Sequence, residues 1–257
     1  MNTHSSYNSN YSNSPIILLH GWGMNKNIWL HFIQTLPSEI KQRIVCLDLP
    51  GFGENLTELN PYNLTALADW LGTEITEPSI VVGWSLGGLV AQQLAISNPG
   101  KIEKLVLVAS SPKFMAEDDW MGIKPDVLTM FAAQLTKDHI KTIERFLAIQ
   151  AMGSATAKQD IKTIKQAVLS APSPTMTSLV EGLNILQNAD VREAYRDIQI
   201  PIHLVFGRLD SLVPNAAIQQ IHKLNQNAQI RLFDKASHAP FISHLEDFSK
   251  WFEQTVN

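Results

Sequence analysis

The chain is almost without cysteine: Cys46 stands alone among 257 residues, so no intrachain disulfide can form and a thiolate metal cluster is excluded. A reducing, cytoplasmic setting is the expectation. No apolar run approaches the roughly 20 residues of a membrane-spanning helix, so no membrane partner is expected. Excess positive charge is missing as well. With 20 Lys and Arg against 24 Asp and Glu, the formal charge is -4, which gives nucleic acid no electrostatic footing. The opening stretch, Met1 to Ser14, lacks the basic start and apolar centre of a secretory signal. Rich in Asn, Ser and Thr, residues 1–14 read as a disordered tail, with an added strand left open. Internal repeats are absent. What remains is an ordinary globular composition, 45% hydrophobic, in a chain long enough to bury a substantial core.

Short apolar runs recur with helical patterns between them: Ile16 to Leu19, Ile44 to Leu47, Ile80 to Val82, Leu105 to Ala109, Ile202 to Phe206 and Ile230 to Phe233. This alternation predicts an α/β fold, a mostly parallel sheet flanked by helices on both faces. Polar turns close several runs: His20-Gly21, Asp48-Leu49-Pro50-Gly51 and Gly207-Arg208-Leu209-Asp210. Ligand chemistry belongs at such carboxyl ends. Between about Pro112 and Ala189 the rhythm breaks and helical patterns dominate, as in Asp138 to Ile149 and Ala157 to Leu169. The expected organisation is a core of residues 15–111 and 190–257 interrupted by a helical insertion, 112–189, that would sit over the strand ends as a lid.

Gly83-Trp84-Ser85-Leu86-Gly87 places one serine between two glycines directly after Ser79-Ile80-Val81-Val82 and before the apolar stretch Leu89 to Ile96, which stops at Asn98-Pro99-Gly100. Strand, serine turn and helix in that order make a nucleophile elbow, a turn so tight that flanking Cβ atoms would clash. A serine hydroxyl needs a base, and the base a third group to hold it. Of eight histidines, His238 lies among small neighbours in Lys235-Ala236-Ser237-His238-Ala239-Pro240, just past the last apolar run. Asp210 follows a run through the Gly207 turn and would fix the His238 tautomer. Amide N–H groups of Leu86 and of Trp22, in His20-Gly21-Trp22-Gly23, would face a developing oxyanion. Each of these residues alone has a structural reading; it is their joint placement at separate strand ends that points to catalysis.

Together, His20-Gly21-Trp22-Gly23, Asp48-Leu49-Pro50-Gly51-Phe52-Gly53, the Ser85 elbow, Asp210 and His238 resemble the α/β-hydrolase superfamily over nearly the whole chain after Ser14. Serine at the elbow sets it apart from the dehalogenase and epoxide hydrolase branches, whose nucleophile is aspartate. A narrower match runs through Gly83 to Ala91, Gly122 to Leu128, Glu144 to Gln150 and His238 to His244, which look like the family of pimeloyl-acyl-carrier-protein methyl ester esterases of biotin synthesis. That resemblance implies a carboxylic ester hydrolase using Ser85, Asp210 and His238 with no cofactor and no metal, acting as a monomer on a methyl ester held by acyl carrier protein. It implies substrate-binding positions at Trp22, Ser85, Leu86 and His238 and along Phe146, Leu147, Ala148, Ile149 and Gln150. Acyl carrier proteins are acidic, and from His139 to Ser170 five basic residues stand against two acidic ones. Lys141 with Arg145, and Lys158 with Lys162, are four apart and share helix faces, which makes them the expected docking residues. A broad short-chain carboxylesterase, a carbon-carbon bond hydrolase with the same triad and a ligand-binding receptor on the same fold stay open on the core motifs alone.

Overall fold

The computed structural model describes residues 13–135, 137–150, 156–169 and 171–257. In chain order, β1 (Ile16–Leu19) is followed by the 3-10 turn Lys26–Trp29, α1 (Leu30–Gln34), α2 (Ser38–Lys41), β2 (Ile44–Leu47), α3 (Leu64–Glu74), β3 (Ser79–Trp84), α4 (Leu86–Ser97) and β4 (Ile102–Val108). Then come α5 (Pro125–Leu135), α6 (His139–Gln150), α7 (Ala157–Leu169), α8 (Met176–Asn188) and α9 (Arg192–Tyr195). The chain closes with β5 (Ile202–Gly207), α10 (Asn215–Leu224), β6 (Gln229–Phe233), α11 (Pro240–Ser243) and α12 (Leu245–Val256). All six apolar runs of the sequence are strands. They form one sheet in the order β2-β1-β3-β4-β5-β6, and every pairing is parallel.

Parallel strands need crossover helices, which cover both faces. That is why β1 and β3 are buried along their whole length, and why α4 buries residues on every side, from Leu86 to Ala95. Outer helices show the amphipathic alternative: α12 turns Phe248, Phe252 and Val256, spaced by four, into the core and leaves its other face to water. Those rings join Trp29, Phe32 and Phe241 in a cluster of edge-on and tilted aromatic contacts. Burying each such ring contributes roughly 1.5–3 kcal/mol, so this cluster anchors the chain's last helix under its first one.

The helices α5 to α8 form a single insertion between β4 and β5. Its two ends lie side by side. Val191 N–H donates to the Pro112 carbonyl (3.0 Å), and Lys113 pairs with Asp190 (3.2 Å) across the stem. At the other boundary the structure shifts the expectation. Ser14, taken as the end of a loose tail, accepts from Arg43 Nε (2.9 Å) through its carbonyl and donates to the Glu103 carboxylate. Residues 1–12, the rest of that stretch, and the strand left open there lie outside the described residues.

Candidate active site

Ser85 ends β3 and begins α4 with φ 54° and ψ -117°, a backbone region that L-residues enter only under strain. The surrounding sequence holds it there. A Cβ on Gly83 would stand 2.4 Å from Gly88 Cα, and one on Gly88 would stand 2.5 Å from Ser110 Cβ, so both positions require glycine. Ser85 N–H donates to the Val108 carbonyl (3.0 Å) and its carbonyl accepts from Ser110 Oγ (2.8 Å). Ser85 is thereby pinned between two strands and a hydroxyl, its backbone satisfied and its side chain without a hydrogen bond among the described residues.

His238 and Asp210 meet across the ends of β5 and β6. Asp210 Oδ2 lies 2.8 Å from His238 Nδ1, and both side chains are buried. The other carboxylate oxygen accepts from Leu212 N–H (2.8 Å) and Val213 N–H (3.0 Å). A carboxylate can only accept, so Nδ1 carries the proton of this hydrogen bond, and in the neutral ring the lone pair is on Nε2. Nε2 is buried and has no hydrogen-bond partner among the described residues. An imidazole held in this way has the free nitrogen that a general base requires. Close approach of the two loops depends on Gly207, whose Cβ would fall 2.0 Å from the Ser237 carbonyl oxygen.

Trp84, the variable residue of the elbow motif, has a role that sequence reasoning did not assign. Its Nε1 donates to the His238 carbonyl (2.9 Å) and its ring lies 5.8 Å from the imidazole. Ser85 and His238 are thus linked through Trp84, the last residue of β3. An indole in that slot, where chemistry asks for no particular side chain, was the available signal.

The His20-Gly21-Trp22-Gly23 loop runs against the first turn of α4. A Cβ on Gly21 would lie 3.2 Å from Ser85 Cβ, and one on Gly87 would lie 2.5 Å from the His20 carbonyl oxygen. The amide N–H groups of Trp22 and Leu86 make no hydrogen bond to another described residue, and Leu86 N–H belongs to the N-terminal turn of a helix, where backbone donors are unspent. Both amides are therefore available as donors, and holding an oxyanion requires two such donors. His20 fixes this loop from inside: Leu49 N–H donates to its Nε2 (3.0 Å), leaving Nδ1–H to donate to the Gly21 carbonyl (2.8 Å). Burial pushes its pKa from 6.5 down to about 4, against weaker raising effects of the Gly21 carbonyl and Asp48. It stays neutral.

Asp48 continues the support. It accepts from Lys26 N–H (2.6 Å) and Glu54 N–H (2.9 Å), joining the segment after Trp22 to the Gly51-Phe52-Gly53 loop. Gly53, at φ 54°, leaves room for the carboxyl, which a Cβ would meet at 2.4 Å.

The insertion covers Trp22. Trp22 Nε1 donates to the Leu179 carbonyl of α8 (2.9 Å), and Phe146 of α6 meets the indole edge-on at 4.9 Å. Phe131 of α5 backs Phe146 at 5.5 Å. Gly182 on α8 is a site residue that sequence reasoning missed: a Cβ there would stand 2.7 Å from Trp22 Cδ1. Only the unusual glycine inside a helical pattern hinted at it. Of the other expected lining positions, Ala148 is exposed; two residues from Phe146, it points about 200° away round the helix and shares no lining with it. The side chains of Leu147, Ile149 and Gln150 lie outside what the structure describes.

Among the expected docking residues, Lys141 is paired with Asp138 (3.0 Å), which lies one residue outside the segment whose charges were counted. Lys165 is paired with Glu144 (2.6 Å), and Arg145 donates to Gln134. Lys158 and Lys162 are exposed and have no ion-pair partner among the described residues. The uncompensated cations of this surface are therefore Arg145, Lys158 and Lys162.

A serine at a strained strand-helix turn, a base held by a buried carboxylate and two free amides on one parallel sheet define a serine hydrolase architecture, and the chain belongs to the α/β hydrolase fold family, whose model matches residues 14–245. Similar solved structures include an esterase from Exiguobacterium antarcticum (TM-score 0.83, 19% identity, 96% of this chain and 92% of that one). The enol-lactonase from Burkholderia xenovorans LB400 is similar too (TM-score 0.78, 18% identity, 95% and 91%). Curated relatives narrow the family. The chain is 45% identical over 241 residues, 92% of each chain, to a protein of Pseudoalteromonas atlantica named pimeloyl-[acyl-carrier protein] methyl ester esterase. It is also 45% identical over 233 residues to the Vibrio cholerae protein of the same name, covering 91% of this chain and 90% of that one, and it belongs to their family.

Proposed function

We propose that the protein is a serine esterase that hydrolyses the methyl ester of a pimeloyl chain carried on acyl carrier protein, in biotin synthesis. The observation that carries the chemistry is His238: held by Asp210 through Nδ1, it keeps a buried Nε2 without a hydrogen-bond partner among the described residues, in the loop that follows β6. Ser85 Oγ attacks the ester carbonyl while Nε2 takes its proton. The tetrahedral oxyanion is held by the N–H groups of Trp22 and Leu86. Imidazolium then returns the proton to the departing methoxide, which leaves as methanol. Water, deprotonated by the same Nε2, releases the acid from Ser85. Each oxyanion donor contributes on the order of 3 kcal/mol.

The substrate reading rests on the curated relatives, and two features of the molecule agree with it. Phe146 of the insertion packs edge-on against Trp22 of the loop that approaches Ser85, apolar surroundings that suit an aliphatic chain at about 0.8 kcal/mol per buried methylene. Arg145, Lys158 and Lys162 give an otherwise acidic protein a local cationic surface. Methanol release from pimeloyl-acyl-carrier-protein methyl ester, measured beside Ser85→Ala, tests the reading. Fast turnover that falls at least about a thousandfold in the variant is expected. Hydrolysis of p-nitrophenyl acetate without methanol release from the carried ester would keep the catalytic residues and remove the biotin assignment.

A further inference from the structure

Among the described residues, the non-glycine residues with positive φ are Ser85, at 54°, and Ala109, at 46°. They end neighbouring strands of the sheet, β3 and β4. Ala109 is fully buried, and its N–H donates to the Val205 carbonyl (2.7 Å). An L-residue stays in the left-handed region only where its surroundings enforce it, and such outliers collect at functional sites. Ala109 has no chemistry of its own to offer. What its turn delivers is Ser110, whose hydroxyl donates to the Ser85 carbonyl (2.8 Å).

That carbonyl and the Leu86 N–H belong to one peptide unit. The unit is planar and trans, so its C=O and N–H point opposite ways and whatever fixes one aims the other. The helix holds the carbonyl through Gly88 N–H (3.0 Å) and Leu89 N–H (3.2 Å), and Ser110 adds a side-chain donor at shorter distance. Donation to the carbonyl also polarises the amide and strengthens its N–H as a donor. The second amide assigned to the oxyanion is held in the same way. Trp22 N–H shares its peptide unit with the Gly21 carbonyl, to which His20 Nδ1–H donates (2.8 Å).

Gln92 of α4 sets the direction of the Ser110 hydroxyl. It is fully buried, with Nε2 3.2 Å from the Gly88 carbonyl and 3.3 Å from Ser110 Oγ. A carbonyl only accepts, so the nitrogen is the end of the amide that faces both groups. With Oγ accepting from Gln92, the Ser110 proton is left for Ser85. The amide oxygen of Gln92 is buried without a partner among the described residues, a loss of stability that a methionine of similar size would avoid. Two locally unfavourable residues, Ala109 and Gln92, thus converge on one hydroxyl.

We infer that Ser110 is a positioning residue for the oxyanion, on the serine esterase reading given above: through the Ser85-Leu86 peptide plane it aims the Leu86 N–H, and Gln92 orients Ser110.

The test uses Ser110→Ala, Gln92→Met and the double variant, with p-nitrophenyl acetate as substrate and an alkyl trifluoromethyl ketone as inhibitor. Ser85 Oγ adds to the ketone carbonyl, its proton passes to His238, and the adduct keeps a tetrahedral oxyanion with no leaving group. Ser110→Ala should lower kcat/KM and ketone affinity by the same factor, about tenfold, because a misaimed donor forfeits part of what a deleted one does. The alcohol of the same chain, which forms no adduct, should bind as it does to the wild type. Gln92→Met should cause a smaller fall of the same kind that vanishes in the Ser110→Ala background, since both act through one hydroxyl. Methionine matches glutamine in size and helix propensity, so this variant carries the test if Ser110→Ala does not fold. Unchanged ketone affinity in Ser110→Ala, or in Gln92→Met should the first not fold, overturns the inference. An equal loss for ketone and alcohol overturns it too, because it would report a disturbed pocket. If the wild type neither hydrolyses the ester nor binds the ketone, or if Ser85→Ala still does both, the serine esterase reading itself falls.

Discussion

At the scale of the residue, the site is built from side chains whose conformations only their neighbours make tolerable. His20 is the clearest case, a fully buried imidazole with its pKa lowered from 6.5 to about 4. Because the folded value is the lower one, the unfolded chain takes up the proton first as pH falls. Stability from this residue is therefore whole above pH 6.5 and drains away as pH drops toward 4, by on the order of 3 kcal/mol once both values are passed. Denaturant melts from pH 8 to 4 should show that loss. His20→Gln, which keeps an acceptor for Leu49 N–H but cannot be protonated, should flatten it; an equally steep decline in the variant would assign the effect elsewhere. Trp84 offers a second test. Trp84→Phe keeps the ring but strips the donor from the buried His238 carbonyl, at a cost of about 1–3 kcal/mol. If the indole orients the base, kcat should fall severalfold with KM little changed, and a change confined to KM would speak against it.

At the scale of the element, the six strands were legible because parallel strands buried on both faces must be continuous apolar runs, and Ile16 to Leu19 or Ile202 to Phe206 have no other plausible use. The proposed triad was legible for a related reason: Ser85, Asp210 and His238 sit in turns at strand ends, where glycine and small neighbours mark a constrained backbone. What escaped was contact between elements distant in sequence. Nothing near Gly182 announces Trp22, 160 residues earlier, although the two are in contact; nor does the elbow motif announce that Trp84 will reach His238. The ion pair of Lys141 escaped because its partner, Asp138, stands one residue before the helix. Gly182→Ala tests the inter-element contact directly. Its new Cβ would meet the Trp22 indole at 2.7 Å, while the substitution itself favours α8 by up to about 1 kcal/mol. The helix cannot yield without breaking the Trp22 to Leu179 hydrogen bond, so the oxyanion loop moves instead. An approximately tenfold or larger drop in kcat, with a melting temperature near that of the wild type, is the expected outcome. Wild-type kcat would show that Trp22 can shift without carrying its amide along.

At the scale of the whole molecule, charge is distributed against the average. The chain is net acidic at -4, yet Arg145, Lys158 and Lys162 lie on the insertion without a carboxylate partner among the described residues. Surface cations more than a Debye length from their partner contribute little at physiological salt, so such a cluster matters only in contact with an anionic surface. An acidic carrier protein is such a surface. Reversing Arg145 and Lys162 to glutamate changes the local charge by four units without touching Ser85, Asp210, His238 or the amides that face the oxyanion. KM for carrier-linked ester should then rise at least about tenfold at low salt, and the gap between variant and wild type should narrow as ionic strength increases, because both steering and docking are screened. A small soluble ester, which meets the same catalytic residues without meeting that surface, should keep its KM and its salt response in both proteins. Equal effects on the two substrates would mean that the charges hold the insertion in place and not the carrier, moving Arg145 and Lys162 from recognition to architecture.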